Sequence, residues 1–271
     1  MDARPSRLEV DLRGVDILSG RQKTLSVQNR YAGDVGDFMK FGLLRHLAAA
    51  ATSGGAGMAV GLNWYLVPDE AHNADGRHIA YLHPTNSWHR SLEACDSDLM
   101  RRLAWVVAHG HSVEALEASG ALPAGCRTHR EMLDPASGPT GRQGWHTRAL
   151  MALEGPEVVF ADPDNGVRTA ATRSKSHKYA TVEELADYAR RGQSLVVYHH
   201  ADRSAGVETQ AQRRLAELAS GVGQRSVGTV IARRGSCRFF LVTASDGHHE
   251  RLATSLDQFA ARWFRHADLV R

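Results

Sequence analysis

The nine residues Val158–Gly166, VVFADPDNG, join an unbroken apolar run to a cluster of residues that favour turns. The apolar run predicts a strand buried on both faces, as in a parallel sheet. Pro163 favours an extended exit from this strand, and Gly166 permits a tight turn. Open parallel sheets bind ligands at the carboxyl ends of their strands, so we expect a site at this turn. Its polar side chains are Asp162, Asp164 and Asn165.

Strand-like and helix-like segments alternate on both sides of this stretch. MAVGLNWYLV (58–67) and SLVVYHH (194–200) are apolar runs of strand length. TVEELADYARRG (181–192) has a threonine N-cap and a glutamate three residues later, which predicts a capped helix. Residues 227–245 predict two strands joined by Arg-Gly-Ser. The whole pattern predicts an α/β fold with a Rossmann-like, mainly parallel sheet, helices on both faces and a C-terminal antiparallel hairpin.

The chain divides into a short extension and one domain. Residues 1–28 are polar with only brief apolar alternation, and we assign no element to this N-terminal extension. Residues 29–271 contain neither an internal repeat nor a low-complexity linker, which predicts a single α/β domain of catalytic type. Within that domain, helix-like segments predict a helical insertion around 86–143.

The composition is that of an ordinary globular protein with a slight basic excess. The formal net charge of +3 permits a nucleic-acid partner without requiring one. No apolar run approaches the roughly 18 residues of a membrane span. The three cysteines form no CxxC motif, and the first residues lack the apolar core of a signal peptide. These features predict a cytoplasmic protein with free thiols and no membrane partner.

A second polar cluster lies far upstream, in YAGDVGDFMK (31–40). Asp34, Asp37 and Lys40 are spaced three apart, so on a helix they share one face. A capped helix start explains the acidic residues, which the helix dipole favours in the first turn. It does not explain the two glycines between them, which weaken a helix unless the backbone there approaches another group closely.

Two further strand ends carry polar side chains. Asn63 interrupts an apolar run, and a buried amide needs hydrogen-bond partners. Tyr198, His199 and His200 end another strand, where adjacent histidines point to opposite faces. At most one of the two histidines therefore shares a pocket with Asp162. Packing and ordinary hydrogen bonding explain these residues equally well.

These segments resemble the bacterial ribosomal large-subunit RNA adenine-N6 methyltransferases of the J type. That family opens with HAGNxADVLKH, and the alanine, glycine, second acid and lysine recur in Ala32–Lys40. An apolar strand ending Asp-Pro-Pro-Tyr corresponds to Val158–Asn165, and a later strand ending in tyrosine corresponds to Ser194–Tyr198. The chain also resembles a group of uncharacterised bacterial and phage proteins that share GDxGDxxKxGLLR, NWYL-PDE and DPDNG.

The resemblance implies a Rossmann-like enzyme that uses S-adenosylmethionine to methylate a base amine in nucleic acid. The candidate catalytic residues are Asp162, Asp164, Asn165, Lys40 and Asp37. The candidate cofactor-binding residues are Asn63, Tyr31 and Asp34. The candidate substrate-binding residues are Tyr198, His199, Lys175 and Lys178. The two lysines are equally typical of a solvated loop.

The chain departs from the family at two places. Where the family has a glycine-rich cofactor loop of the type DTHAGAG, this chain has NWYLVP (63–68). Asp164 and Asn165 replace the Pro-Tyr pair, whose aromatic ring stacks on a flipped base.

Two other functions are compatible with the same residues. A Mg²⁺- or Mn²⁺-dependent nuclease or nucleotide phosphohydrolase would place the metal on carboxylates and use His199 or His200 as a base. The carboxylates in question are Asp34, Asp37, Asp162 and Asp164. No HExxH or Cys/His spacing occurs, so no dedicated metal ligand is assigned. The other possibility is a non-catalytic module that binds nucleic acid.

Overall fold

A computed structural model describes residues 32–49, 57–68, 78–169 and 176–271. The predictions for Tyr31, for Lys175 and for the extension 1–28 lie outside the described residues. In the described ranges, no helix has both the length and the apolar composition needed to cross a membrane.

The described residues form eight helices and nine strands. The strands are β1 (Val60–Asn63), β2 (Arg127–His129), β3 (Val158–Ala161), β4 (Gly166–Val167), β5 (Tyr179–Ala180), β6 (Ser194–His200), β7 (Arg225–Ala232), β8 (Arg238–Ala244) and β9 (Ala267–Val270). The helices are α1 (Val35–Ala48), α2 (His89–Glu93), α3 (Ser97–Ala108), α4 (Val113–Ala118), α5 (Gly138–Ala152), α6 (Val182–Arg190), α7 (Val207–Val222) and α8 (His249–Trp263). Short 3-10 turns occur at Ala80–Leu82, Pro135–Ser137 and Ser176–Lys178.

Seven strands form one mixed sheet in the order β2-β1-β3-β6-β8-β7-β9, and β4 pairs with β5 separately. The pairs β1–β2, β1–β3 and β3–β6 are parallel. The pairs β6–β8, β7–β8 and β7–β9 are antiparallel. The predicted predominance of parallel pairing is therefore correct only for the first half of the sheet. The second half differs because strand β8 returns between β6 and β7, and because the terminal strand β9 adds to the edge.

Helices cover both faces of this sheet, as predicted. Side chains alternate along β3, so Val158 and Phe160 enter one core while Val159 and Ala161 enter the other. Helices α1, α3, α4 and α8 contribute to the first core, and α5, α6 and α7 contribute to the second. The continuous apolar run in VVFA is thus explained by burial on both sides.

The elements around the site agree closely with their sequence patterns. Strand β6 spans the whole predicted segment, and β7 and β8 form the predicted antiparallel hairpin. Thr181 caps helix α6, and Glu184 completes the capping box. Cys95, Cys126 and Cys237 are free thiols, as predicted.

Three boundaries differ from the sequence prediction. Strand β1 ends at Asn63 instead of continuing to residue 67, because Tyr65 adopts a positive φ of 47° that no strand accommodates. Helix α1 ends at Ala48, whereas the cluster Ser53-Gly54-Gly55 in the sequence predicts an end several residues later. The predicted insertion around 86–143 contains helices, but it also supplies edge strand β2, so it is integral to the sheet.

Candidate active site

A cleft of about 250 Å³ opens at the carboxyl ends of β1, β3 and β6. Helix α1 and the start of β8 form its other walls. Six polar side chains that line it come from both sequence clusters, from β6 and from the hairpin: Asp34, Asp37, Lys40, Asp162, Tyr198 and Arg238. Segments more than 120 residues apart in the chain therefore meet at the strand end where we expected a site.

Helix α1 presents Lys40 to this cleft through its own capping interactions. Asp34 is the N-cap and accepts a hydrogen bond of 3.0 Å from the amide of Asp37. Asp37 in turn accepts 2.8 Å hydrogen bonds from the amide of Gly33 and from Lys40 Nζ. The first turn of the helix thus fixes the position from which Lys40 extends.

Lys40 joins helix α1 to the end of strand β3. Its Nζ lies 2.6 Å from Asp162 Oδ2 and 2.8 Å from Asp37 Oδ1. Only 9% of the lysine side chain and 13% of the Asp162 side chain are exposed, so water screens this ion pair weakly. The second oxygen, Asp162 Oδ1, has no hydrogen-bond partner among the described residues. One carboxylate oxygen is therefore held in place and the other is available to a ligand.

Burial and charge act in opposite directions on these two groups. Burial raises the pKa of Asp162 to about 6, although the neighbouring Lys40 ammonium lowers it. Burial also disfavours the charge on Lys40, but the carboxylates of Asp162 and Asp37 outweigh it and raise the pKa of this lysine. Both groups are charged at pH 7, and Asp162 becomes protonated in mildly acidic solution.

A second buried chain of polar groups centres on Arg238, which the sequence analysis did not select. Arg238 donates hydrogen bonds to Asp34 Oδ2 at 3.2 Å and to the Tyr198 hydroxyl at 3.2 Å. That hydroxyl lies 2.9 Å from His200 Nε2. The arginine is 6% exposed at the start of a fully buried strand. The sequence signal that points to it is a charged residue directly before an apolar strand.

The glycines of the α1 motif allow close approach, as their presence predicted. A Cβ added to Gly36 would lie 2.7 Å from Cζ of Arg238, so any side chain here would displace the guanidinium group. Gly33 has a φ of 87°, and a Cβ there would lie 2.8 Å from Val107. Gly36 therefore makes room for the ion pair between Arg238 and Asp34.

Asn63, a predicted cofactor ligand, does not line this cleft. It is fully buried on the opposite side of strand β1, where its amide nitrogen donates a 3.1 Å hydrogen bond to the Tyr188 hydroxyl. Its side-chain oxygen lies 3.1 Å from His129 Nδ1. The alternation of β1 side chains places Asn63 away from the cleft and puts its neighbour Trp64 in it.

The histidine pair divides between the two faces of the sheet. His200 lines the cleft with Tyr198. His199, a predicted substrate-binding residue, faces the opposite core, where its Nδ1 accepts a 3.0 Å hydrogen bond from the Val167 amide. Burial lowers the pKa of His199 to about 4. The neutral imidazole stabilises the turn after β3 and lies outside the cleft that contains Asp162.

Lys178 pairs with the turn instead of facing solvent. Its Nζ lies 2.8 Å from Asp164 Oδ2, and its carbonyl accepts a 2.9 Å hydrogen bond from the Asn165 amide. The lysine is 6% exposed. Asp164 lines the cleft, whereas Asn165 is half-buried in the turn itself. Lys178, which was predicted to bind substrate or to lie in a solvated loop, is buried and supports the DPDNG turn.

The carboxylates of the cleft are paired with cations. Lys40 contacts Asp37 and Asp162, Arg238 contacts Asp34, and Lys178 contacts Asp164. In the part of the chain that the structure describes, no three His, Cys, Asp or Glu side chains are grouped so as to hold a metal ion.

Charge, shape and position together define a small polar cleft with one apolar wall. Leu66, Val113 and Leu116 form that wall, opposite the charged groups of α1. Such a cleft suits a ligand that combines a flat or apolar body with charged ends. Comparison of the chain with models of protein families, with curated proteins and with solved structures finds no match.

Proposed function

We propose that the protein is an S-adenosylmethionine-dependent methyltransferase that acts on the exocyclic amine of a nucleic-acid base. The observation that carries this proposal is the arrangement of Asp162. It lies at the carboxyl end of a central strand, Lys40 holds one of its oxygens at 2.6 Å, and the other oxygen has no partner among the described residues.

This geometry gives Asp162 a specific chemical role. An exocyclic amine is a poor nucleophile because its lone pair is delocalised into the base. A carboxylate that accepts a hydrogen bond from the amine increases electron density on the nitrogen and can accept the proton released on methylation. Lys40 is a positioning residue in this scheme, since it fixes the carboxylate and keeps it ionised at pH 7.

The residues present fit the proposed cofactor by their charge. The charged groups of the cleft pair with one another, and this mixed arrangement suits a zwitterion: Arg238 and Lys40 would exchange a present contact for its carboxylate, and Asp34 and Asp37 for its ammonium group. The aliphatic wall of the cleft is suited to an adenine ring. When bound, S-adenosylmethionine supplies an electrophilic methyl group. The loop after β1 lacks the family's glycines, but Tyr65 makes a left-handed turn directly after the strand, with a φ of 47°.

The sheet gives independent support at the level of the fold. Strand β8 lies antiparallel between β6 and β7, after three parallel pairings that begin at β2. A C-terminal hairpin joined to a parallel half-sheet suits a Rossmann-like methyltransferase. The cleft lies at the strand ends where such sheets bind their ligands.

The size of the cleft favours an unstacked base. Its volume of about 250 Å³ is near the lower end of ligand pockets, which occupy roughly 300–1,000 Å³. A duplex does not fit a cleft of this size, so the base enters from a single strand or after flipping. Tyr198 is already hydrogen-bonded to Arg238, so we assign it to shaping the cleft instead of to stacking.

The alternative, a Mg²⁺- or Mn²⁺-dependent nuclease or phosphohydrolase, has one observation in its favour. Asp34, Asp37, Asp162 and Asp164 line the same cleft. However, two lysines and one arginine pair with these four carboxylates, which leaves a formal net charge of only −1 to attract a divalent ion. Divalent-metal-dependent cleavage of RNA or DNA that is lost in Asp162→Ala would favour this alternative.

Calorimetric titration with S-adenosylmethionine tests the proposed cofactor. We expect saturable binding to the wild type and at least tenfold weaker binding to Arg238→Gln, because this change removes a buried charge from the cleft. Arg251→Gln is the matched control, since that arginine pairs with Glu157 at the surface. Absence of binding to the folded wild type would contradict the proposal. RNA or DNA binding that persists in that case would identify a non-catalytic binding module.

A further inference from the structure

We infer that a second cleft, on the other side of the DPDNG turn, binds a phosphate group of the nucleic-acid strand. This second cleft has a volume of about 590 Å³ and lies against helices α6 and α7. The identity of the ligand as a nucleic-acid strand rests on the proposed function. The inference that the ligand carries a phosphate group rests on the residues of the second cleft.

The second cleft has an apolar floor and a basic rim. Its floor consists of four aliphatic side chains: Val167, Val182, Leu218 and Leu241. Its rim carries three arginines, Arg168, Arg213 and Arg214, and two acids, Asp202 and Glu217. Guanidinium groups match the geometry of phosphate oxygens, and an aliphatic floor accommodates the less polar face of a sugar or base.

The three arginines differ in how far their charge is already balanced. Arg214 lies 2.8 Å from Glu217 and 3.5 Å from Asp202, so two acids neutralise it. Its Nε is nevertheless buried and has no hydrogen-bond partner among the described residues. Arg213 donates a 3.0 Å hydrogen bond to the Ser204 hydroxyl and, among the described residues, contacts no carboxylate.

Arg168 is exposed, as is Arg213, whereas Arg214 is half-buried. Its amide is bonded to the Ala180 carbonyl at 2.8 Å, which fixes the backbone, but its side chain has no partner in the described ranges. Three arginines and two acids give the rim a formal net charge of +1, and among the described residues neither Arg168 nor Arg213 forms an ion pair with a carboxylate. An anionic ligand is the simplest complement to this arrangement.

The two clefts share one structural element. Asp162 and Asp164 face the first cleft, while Val167 and Arg168 face the second. His199 packs beneath the turn that joins them, and a Cβ added to Gly166 would lie 2.2 Å from its Nδ1. The two clefts open on opposite faces of the sheet, so a strand whose base enters the first cleft would pass around this turn to bring a phosphate to the second. This placement favours the phosphate of a nucleic-acid strand over a free anion.

Fluorescence anisotropy with a labelled single-stranded oligonucleotide, at several salt concentrations, tests this inference. We expect Arg168→Gln/Arg213→Gln to bind about tenfold more weakly, and the dependence of log affinity on log salt to become shallower by about 1 to 2. The matched control is Arg101→Gln/Arg190→Gln, which removes the same charge from two exposed positions outside the second cleft. We expect it to retain the wild-type salt dependence.

A second titration distinguishes binding of a nucleic-acid strand from binding of a free nucleotide. If the second cleft binds phosphate, adenosine 5′-monophosphate binds more tightly than adenosine, and the double variant abolishes the difference. The oligonucleotide should bind more tightly than either. An unchanged salt dependence in the double variant, an equal change in the control, or no binding of the oligonucleotide or the monophosphate would overturn the inference. Failure to bind S-adenosylmethionine would overturn only the methyl transfer.

Discussion

Lys40 is the residue on which the charge balance of the cleft depends. Its ammonium group contacts two carboxylates and lies 5.3 Å from the ring centroids of Phe41 and Trp64. The aromatic rings exclude water and add a favourable interaction with the cation. Without the lysine, Asp37 and Asp162 would remain buried near each other with no opposite charge between them.

Substitution of Lys40 by methionine is expected to destabilise the protein more than the loss of a surface ion pair. Methionine retains the length of the side chain but leaves two buried carboxylates uncompensated, which costs about 3 kcal/mol. Urea denaturation at pH 7 measures this loss. We expect a smaller loss at pH 5, because Asp162 then takes up a proton.

Arg45→Gln is the control for the lysine substitution. Arg45 is on the same helix but pairs with Asp96 and Asp98 near the surface, so its loss should cost less than about 1 kcal/mol. Equal destabilisation by the two substitutions would contradict the view that Lys40 balances buried charge.

The raised pKa of Asp162 gives stability a specific dependence on pH. Burial raises this pKa from 3.8 to about 6, so folding favours the protonated form. The contribution of Asp162 to stability is therefore complete below pH 4 and is lost as the pH rises through 6. Relative to Asp162→Asn, the wild type should lose on the order of 2 kcal/mol between pH 4 and pH 7.

Denaturation of both proteins at each pH measures this difference in the free energy of unfolding. The contributions of the other titrating groups are nearly the same in both proteins and therefore largely cancel. A difference that instead grows with pH would mean that the attraction of Lys40 outweighs burial. The rate of methyl transfer should depend on the same group. It should decline as the pH falls through about 6, because the protonated carboxyl of Asp162 cannot accept the amine proton.

At the scale of elements, helix α1 depends on the absence of a side chain at Gly36. Gly36→Ala should displace the Arg238 guanidinium, which is buried and held by Asp34, Tyr198 and two backbone carbonyls. We expect a loss of about 2 kcal/mol and weaker binding of S-adenosylmethionine, measured by denaturation and by calorimetry.

Gly144→Ala in helix α5 provides the comparison. A Cβ there would meet only the end of Arg148 at 3.3 Å, so the usual helix preference for alanine should stabilise the protein by about 0.5 kcal/mol. If both substitutions stabilise the protein, Gly36 is not needed for the approach of Arg238.

The sequence correctly predicted the elements whose signals, such as hydrophobic periodicity and helix capping, lie in residues that are adjacent in the chain. Strand β6, the hairpin and the capping box of α6 follow from adjacent residues, and the structure contains all three. The end of β1 was predicted wrongly, because the apolar run continues through Tyr65 although the backbone turns there. Burial of Trp64 and Tyr65 on opposite sides explains why the run stays apolar without staying a strand.

At the scale of the whole molecule, the contacts that build the site are long-range. Lys40 and Asp162 were candidate catalytic residues from two separate motifs, and the structure places Lys40 Nζ 2.6 Å from Asp162 Oδ2. The pairing of Arg238 with Asp34 spans 204 residues and depends on β8 lying beside β6. No local pattern specifies which strand a hairpin joins, so this half of the site could be identified only in three dimensions.

The orientation of strand-end side chains was the other part that the sequence left open. His199 and His200 had to face opposite ways, but only the packed sheet decides which one enters the cleft. Because of the same alternation, Asn63 lies outside the cleft and Trp64 lines it. A shift of one residue in strand register would reverse both results, so that His199 and Asn63 would face the cleft in place of His200 and Trp64.

Transfer of a labelled methyl group from S-adenosylmethionine to single-stranded RNA or DNA tests the central claim most directly. We expect incorporation by the wild type and a reduction of at least 100-fold in Asp162→Asn, which keeps the shape of the side chain but removes the proton acceptor. Asp187→Asn, which changes a carboxylate on α6 that pairs with His146, should retain activity. Equal incorporation by the wild type and Asp162→Asn, or none by a wild type that binds both ligands, would contradict the assignment of Asp162 as the catalytic centre.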